Sequence, residues 1–412
     1  MLEANKKKII NDPVHGFIRI NHSICFDLME HPYFQRLRRI SQLGLTFLVY
    51  PGATHTRFHH AIGAMHLMST AIDVIRQKGH KITHEESEAV NIAILLHDIG
   101  HGPYSHTLEK DIVTNWDHET LSLLYMEKLN EEFDGKLSLA IKIFKNEYHK
   151  KFLHQLVSSQ LDMDRLDYLR RDSFFTGVSE GVIGSERIIK MLNVMDDQLV
   201  VEVKGIYSIE KFLIARRLMY WQVYLHKTVL AAEKMLETTL QRAKDLIKQG
   251  VKLEASDALL WFLKNGNSSN TDEVLQRFSI LDDSDVMASI KSWTKHPDKI
   301  LSFLANGLMN RRLFRVYLQK EAFEASEIDE IKIRVMRHFN LSENDLKYFV
   351  FSESIVNTTY SDMNEKINIL RRGELTDIAD ASDMLSPAAL SHDVIKYYIC
   401  YPKEIEKNVD LK

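Results

Sequence analysis

Very little in this 412-residue chain would staple it covalently or bend it sharply. Only two cysteines occur, Cys25 and Cys400, and neither belongs to a zinc-like cysteine pattern, so no disulfide framework is expected. Seven prolines and sixteen glycines are few for this length, which favours long helices over many tight-turned strands. No apolar run approaches the ~20 residues of a membrane span. The start, Met1-Leu2-Glu3-Ala4-Asn5-Lys6-Lys7-Lys8, leads into no apolar signal region, so a cytoplasmic protein is expected. An excess of one charge is also missing. The net charge of −4 argues against a general binder of nucleic acid or anionic membrane. The remaining composition, 45% apolar and 27% charged, suits a globular chain with one large core or a core and a satellite lobe.

What the chain has is histidine: ten of the nineteen lie between His55 and His118, and scattered surface histidines would not bunch that way. At the centre stands Leu95-Leu96-His97-Asp98-Ile99-Gly100-His101-Gly102-Pro103-Tyr104-Ser105-His106. Thr83 and Glu86 form a capping-box signal, and Ala89 to Leu96 read as a buried helix. Gly100 offers a residue able to take the left-handed turn that ends a helix. His97 and Asp98 then fall at the last turn of a greasy rod, where an unpaired imidazole and carboxylate are costly to bury. A metal ion removes that cost. A lone His–Asp pair is more often a structural hydrogen bond, but two further histidines within nine residues favour the metal.

Elsewhere, residues 9–20 suggest a strand or hairpin, and Gln35 to Leu43 a basic helix whose Arg36, Arg38 and Arg39 form, by default, a solvated face. A long helix is expected from about Arg57 to Lys78. On it His60 shares a face with Ala64, Leu67, Met68, Ala71 and Ile75, whereas His59 shares one with Gly63, His66, Thr70, Asp73 and Gln77. Helical spacing turns His60 to the core and His59 to water. Trp116 to Glu119 start another helix, and Ser158 to Asp172 form one in which Asp164, Tyr168 and Asp172 share a face at i, i+4 and i+8. By spacing alone, Asp164 is as readily a surface charge as a ligand. Gln198 to Lys204 alternate like a strand turned by Gly205. Residues 208–248 read as a long helical region with Arg216, Tyr220 and Tyr224 every four residues, a ladder more often packing than ligand contact. Asn265 to Asn270 are the best linker signal. Strand-like runs at Lys366–Leu370 and Val394–Tyr401 flank a helical insert.

His60, His97, Asp98 and Asp164 make an imidazole and carboxylate set suited to Mn²⁺, Fe²⁺, Zn²⁺, Ni²⁺ or, less well, Mg²⁺. Four protein ligands would leave room on the ion for water and a phosphate oxygen. His101, His106 and His118 could neutralise or protonate developing oxyanions, with Glu109 orienting His118. Arg57, Arg165, Arg216 and Lys227 are the donors a polyphosphate wants, in a chain whose acidity suits a compact anion better than a long nucleic acid.

Several motifs then coincide with a known family: Asn11-Asp12-Pro13-Val14-His15-Gly16, Phe34-Gln35-Arg36-Leu37-Arg38, Gln42-Leu43-Gly44, and the run Pro51 to His60. His97 to His106, His118-Glu119 and Asp164-Arg165-Leu166-Asp167-Tyr168 complete the set. From Lys8 to about Lys227 the chain resembles the HD-domain phosphohydrolases, and within them the deoxynucleoside triphosphate triphosphohydrolase branch. The resemblance implies a mainly α fold: an HD-domain helical core with small β-hairpins and a C-terminal α+β lobe. We take residues 1–264 as the core with the nucleotide site and 271–412 as the lobe, packed on the core and involved in oligomerisation.

The resemblance further implies one divalent ion on His60, His97, Asp98 and Asp164, with additional Mg²⁺ carried by the nucleotide. Water attacks the α-phosphorus of a dNTP and releases deoxynucleoside and triphosphate. His101, His106, Glu109 and His118 match catalytic positions. Gln42, Leu43, Arg57, Arg165, Tyr168, Asp172, Arg216 and Tyr224 match positions around phosphates and sugar, where lack of space disfavours a 2′-hydroxyl. Lys8, Asn11 and Arg38 match a regulatory nucleotide site in which Glu30 also falls, and a homodimer or homotetramer is implied. Against the vertebrate members, Tyr220 replaces a histidine, Leu225 a glutamine and Glu30 an aspartate. Two alternatives use the same residues: another nucleotide phosphate ester as substrate, or a regulator that binds nucleotide or nucleic acid without turnover.

Overall fold

Helices carry most of the chain, as expected from scarce glycine and proline and from apolar residues recurring at helical spacing. The structure, a computed structural model, describes residues 8–104, 115–357, 360, 366–384 and 394–408. Among them no helix is long and apolar enough to cross a membrane.

Three helices frame the centre. Arg57–Gln77 packs against both His84–Leu96 and Met163–Thr176. The second begins with the expected capping box, Glu86 N–H donating to Thr83 Oγ1 at 3.1 Å and Thr83 N–H to Glu86 Oε2 at 2.8 Å. The third is capped by Asp162, whose Oδ1 accepts from Arg165 N–H at 2.7 Å.

The turn beyond Leu96 differs from expectation, because Gly100 has no left-handed backbone. A Cβ on it would lie 2.3 Å from His118 O and Ser122 N, so glycine is required for the close approach of this turn to helix His118–Glu132. Ser122 Oγ takes Gly100 N–H at 2.9 Å and donates to His97 O at 2.7 Å. Arg36 also departs from the solvated face expected of it. It is fully buried, in a short turn, and donates to Ile99 O, His101 O and Leu281 O at 2.8, 2.9 and 3.2 Å. A guanidinium here satisfies carbonyls that a non-helical turn leaves over, which is why it tolerates burial.

The region 208–248 is two helices rather than one. Ile206–Met219 runs into a π-helical turn, Tyr220–Tyr224, closed by Leu225 N–H to Tyr220 O at 2.7 Å, before Lys227–Lys248. Gln198–Glu202 does form a strand, but its hairpin partner precedes it, Leu192–Met195, through Asp196 and Asp197, both at positive φ. Gly205 instead caps the start of the next helix.

Three small sheets complete the fold among the described residues. Ile9–Asp12 pairs with Gly16–Arg19 as the expected hairpin. Strands Asn368–Arg371 and Glu374–Asp377 extend the Leu192–Met195/Gln198–Glu202 hairpin, with Gln198–Glu202 and Asn368–Arg371 parallel. Val394–Tyr401 lies between Arg315–Gln319 and Phe351–Asn357, antiparallel to both. Apolar side chains from Ile18 to Ile405 form one contiguous core cluster. Residues 266–270 turn tightly between helices Asp257–Asn265 and Thr271–Phe278, taking hydrogen bonds from Asn115 Nδ2 to Asn267 O and Trp116 Nε1 to Ser268 O.

Candidate active site

His60, from helix Arg57–Gln77, is completely buried, as its apolar face requires. Its Nε2 lies 3.0 Å from Asp164 Oδ1 and 3.4 Å from His97 Nε2, and the latter is 3.6 Å from Asp164 Oδ1. Three helices thus bring two imidazole nitrogens and a carboxylate oxygen to one point, an arrangement able to hold a metal ion. Asp98 stands at its edge. Its Oδ1 is 3.3 Å from both His97 Nε2 and His101 Nε2, while Oδ2 accepts from Arg57 Nη1 at 2.5 Å.

The other ring nitrogens are tied down. His97 Nδ1 lies 2.6 Å from Ile94 O, and His60 Nδ1 2.8 Å from Asp167 Oδ2. A donor hydrogen on each Nδ1 leaves both Nε2 lone pairs facing the common point, the tautomer a metal ligand needs. The donor set therefore fits a divalent ion on chemistry as well as position. Burial alone would depress the His60 pKa, but Asp164 and Asp167 on its two nitrogens outweigh it and raise it to about 10. A proton and a cation compete for that nitrogen.

Asp167 and His15 are site residues that spacing and composition did not single out. Asp167, with no exposure, also meets His15 Nε2 at 2.6 Å and Arg171 Nε at 2.9 Å, and Arg171 continues to Asp12 at 2.8 Å. His15 stands within the Asn11–Gly16 motif and Asp167 within Asp164–Tyr168. The available signal was Asp167 one helical turn after Asp164, on the side turned to the long helix. The same network corrects the expectation for His59. Only the far end of that polar face, Asp73 and Gln77, is exposed; its near end packs on helix Met163–Thr176, with Gly63 against Asp167 and Arg171. His59 itself is half-buried, accepting Thr56 N–H at Nδ1, 3.2 Å.

A cavity of about 430 Å³ opens beside the ligand cluster. Gln42, Leu43, Arg57, Asp98, His101, His118, Asp164, Arg165, Tyr168, Asp172 and Tyr224 all line it. The i, i+4, i+8 face Asp164, Tyr168, Asp172 is turned into it as a unit. His101 and His118 stack, 4.1 Å between centroids and 15° apart. Asp172 accepts from Tyr224 Oη at 2.8 Å and meets His55 Nε2 at 2.7 Å, fixing the tyrosine at the wall. The π turn is what brings Tyr220, Tyr224 and Leu225 to this wall together. Arg216 is not among the lining residues; its Nη1 donates to Gln160 Oε1 at 3.0 Å. His106 and Glu109 lie outside the described residues. Lys8, Asn11, Glu30 and Arg38 are exposed, with Lys8 over the Phe26 ring at 3.8 Å and Arg38 over the Phe58 ring at 3.5 Å.

A helical body with a His–Asp pair at a helix end, a histidine and a distant aspartate closing on it, defines a class of metal-dependent phosphohydrolases. The HD domain profile matches residues 57–172 and the HD associated region profile residues 183–277. The chain belongs to the HD-domain phosphohydrolase superfamily. A phosphohydrolase from Bacteroides thetaiotaomicron is 54% identical and superposes with a TM-score of 0.93, over 96% of this chain and 100% of that one. The Bacillus subtilis protein YwfO is 34% identical over 76% of this chain and 72% of its own. A Dictyostelium discoideum protein named as a deoxynucleoside triphosphate triphosphohydrolase SAMHD1 homolog is 32% identical over 60% of this chain, which spans about half (51%) of its length.

Proposed function

We propose that this chain hydrolyses deoxynucleoside triphosphates to deoxynucleoside and inorganic triphosphate. The observation that carries the reading is the cavity itself: an imidazole and carboxylate centre at one part of its wall, and arginine and tyrosine side chains around the remainder. A divalent ion on His60, His97, Asp164 and Asp98 would supply a Lewis acid for the phosphoryl oxygen. Arg57 and Arg165 face the cavity as fixed positive charges and would balance the triphosphate, Arg57 held in place by Asp98.

Water forms the new bond to the α-phosphorus while the bond to the sugar 5′-oxygen breaks, and that oxygen must gain a proton. His118, stacked on His101 at the cavity wall, is our candidate for delivering it. Tyr224, braced by Asp172, and Tyr168 and Leu43 would form the sugar slot. A rigid phenol anchored by a buried carboxylate yields poorly to an extra hydroxyl, which supports selection of deoxyribose. The exposed set Lys8, Asn11, Glu30 and Arg38 remains our candidate for nucleotide activation, and a dimer or tetramer our expected assembly.

The test is a panel of all dNTPs and NTPs, singly and mixed, with Mn²⁺ and Mg²⁺, with products resolved by chromatography. Inorganic triphosphate from dNTPs is expected, and Asp164→Ala and Asp98→Ala each abolish its release while keeping the helical circular dichroism. Release of orthophosphate instead would reassign the substrate to another phosphate ester. Tight dNTP binding by metal-loaded protein without any product would make it a regulator.

A further inference from the structure

A second group of metal-binding side chains lies away from the cavity. His84 and Glu88 are four residues apart at the start of helix His84–Leu96, so they share one face. His22, from the segment entering helix Ser23–Glu30, is set against them, its ring 5.1 Å from that of His84. Each of the three offers one ligand atom, and these atoms lie within 4.8 Å of one another.

His22 is the informative member. Only 7% of its side chain is exposed, and its Nδ1 has no hydrogen-bond partner among the described residues. The position is an N-cap, where two other histidines of this chain use Nδ1 to accept a helix N–H. His31 takes Tyr33 N–H at 3.2 Å and His226 takes Thr228 N–H at 3.1 Å. His22 makes no such cap. Its Nε2 meets Ser87 Oγ at 3.4 Å, and its Nδ1 is turned to Glu88 Oε2 at 3.5 Å. That separation is long for a hydrogen bond. It matches the roughly 3.4 Å edge of a tetrahedron with metal–ligand bonds of about 2.0–2.1 Å.

We propose that His22 Nδ1, His84 and Glu88 bind one zinc-class divalent cation, separate from the His60, His97 and Asp164 centre. Two imidazoles and a carboxylate suit zinc, and the exposure of His84 leaves a position open to water. Burial, with His84 and Arg76 nearby, lowers the His22 pKa to about 4, so the imidazole is already neutral at pH 7 and loses no proton on binding. Arg76 is the adverse charge, but its guanidinium is directed to Ile82 O and Thr83 O at 3.0 and 2.7 Å. The bound ion would tie the entry of helix Ser23–Glu30 to the helix whose far end carries His97.

Chelator-stripped protein titrated with Zn²⁺, or with Co²⁺ as a spectroscopic probe, tests this by metal analysis after desalting. Wild type is expected to keep one more equivalent per chain than His84→Ala or Glu88→Gln, both with unchanged circular dichroism and unchanged turnover. Zinc should also raise the Tm of wild type more than that of either variant. His97→Ala/Asp164→Ala, which removes ligands of the other centre, should still retain this equivalent. Equal metal content in wild type and both surface variants overturns the proposal, as does an extra equivalent lost only with His97 and Asp164. Metal content is read without any substrate, so failure of the assigned activity would not be confused with failure of this site.

Discussion

Asp167 has no exposed surface, yet His15, His60 and Arg171 all converge on its carboxylate. Burial alone would push its pKa up, and Arg171 with the two histidines reverses this, holding it well below the usual carboxylate range. The charge it retains fixes the His60 hydrogen on Nδ1. We therefore expect Asp167→Asn to weaken metal binding about 10–100-fold, read by metal titration of the chelator-treated protein. Affinity equal to wild type would remove Asp167 from that role. Tyr224 offers a second single-residue test. Tyr224→Ala empties part of the slot and should lower the ratio of dGTP to GTP hydrolysis about tenfold or more. A ratio that does not move would place deoxyribose selection elsewhere in the cavity.

The helices meet through their smallest residues. Gly63 lies where Arg57–Gln77 crosses Met163–Thr176, and a Cβ added there would sit 2.1 Å from Asp167 Oδ1 and 2.2 Å from Arg171 Nη2. These atoms belong to a buried ion-pair network and cannot swing away as a surface chain could. Gly63→Ala should cost about 1–3 kcal/mol or more, even though alanine improves helix propensity. A lowered Tm together with weakened metal binding is expected. A Tm at or above that of wild type would mean the helix pair accommodates the methyl group. The π-helical turn Tyr220–Tyr224 is the other element-level device, since the extra residue per turn re-aims the wall of the cavity before the chain enters helix Lys227–Lys248.

At the scale of the whole molecule, buried carboxylates shared between distant segments make stability sensitive to acid. Asp12, in the first hairpin, meets Arg171 at 2.8 Å, and Arg171 in turn meets Asp167. Burial opposes ionisation of both aspartates, but Arg171 lowers both pKa values. Groups depressed on folding stabilise fully above their unfolded pKa of about 3.9. That contribution disappears as pH falls through the folded values. Through these two carboxylates, urea midpoints should fall below about pH 4. Asp12→Asn should cost about 3–5 kcal/mol at pH 7 by leaving Arg171 under-compensated, and it should flatten the acid limb. An acid limb identical to wild type would show that other groups control it.

Local patterns determined what is local. The Thr83 capping box, the apolar face that buries His60, and the shared face of Asp164, Tyr168 and Asp172 arise from spacing along a single helix, because a 3.6-residue period fixes direction without any partner. Composition likewise foretold helix over strand. Only the tertiary structure decided which polar groups are buried and where they point. Arg36 reads as a solvated cation and is wholly enclosed, since the carbonyls it satisfies lie 63 to 245 residues away. His59 and Gly63 read as a wet face and instead carry the crossing of two helices, while Arg216 turns to Gln160. Asp167 joins His15 across 152 residues of chain. Charge burial depends on partners, and partners so distant in sequence leave no periodic trace.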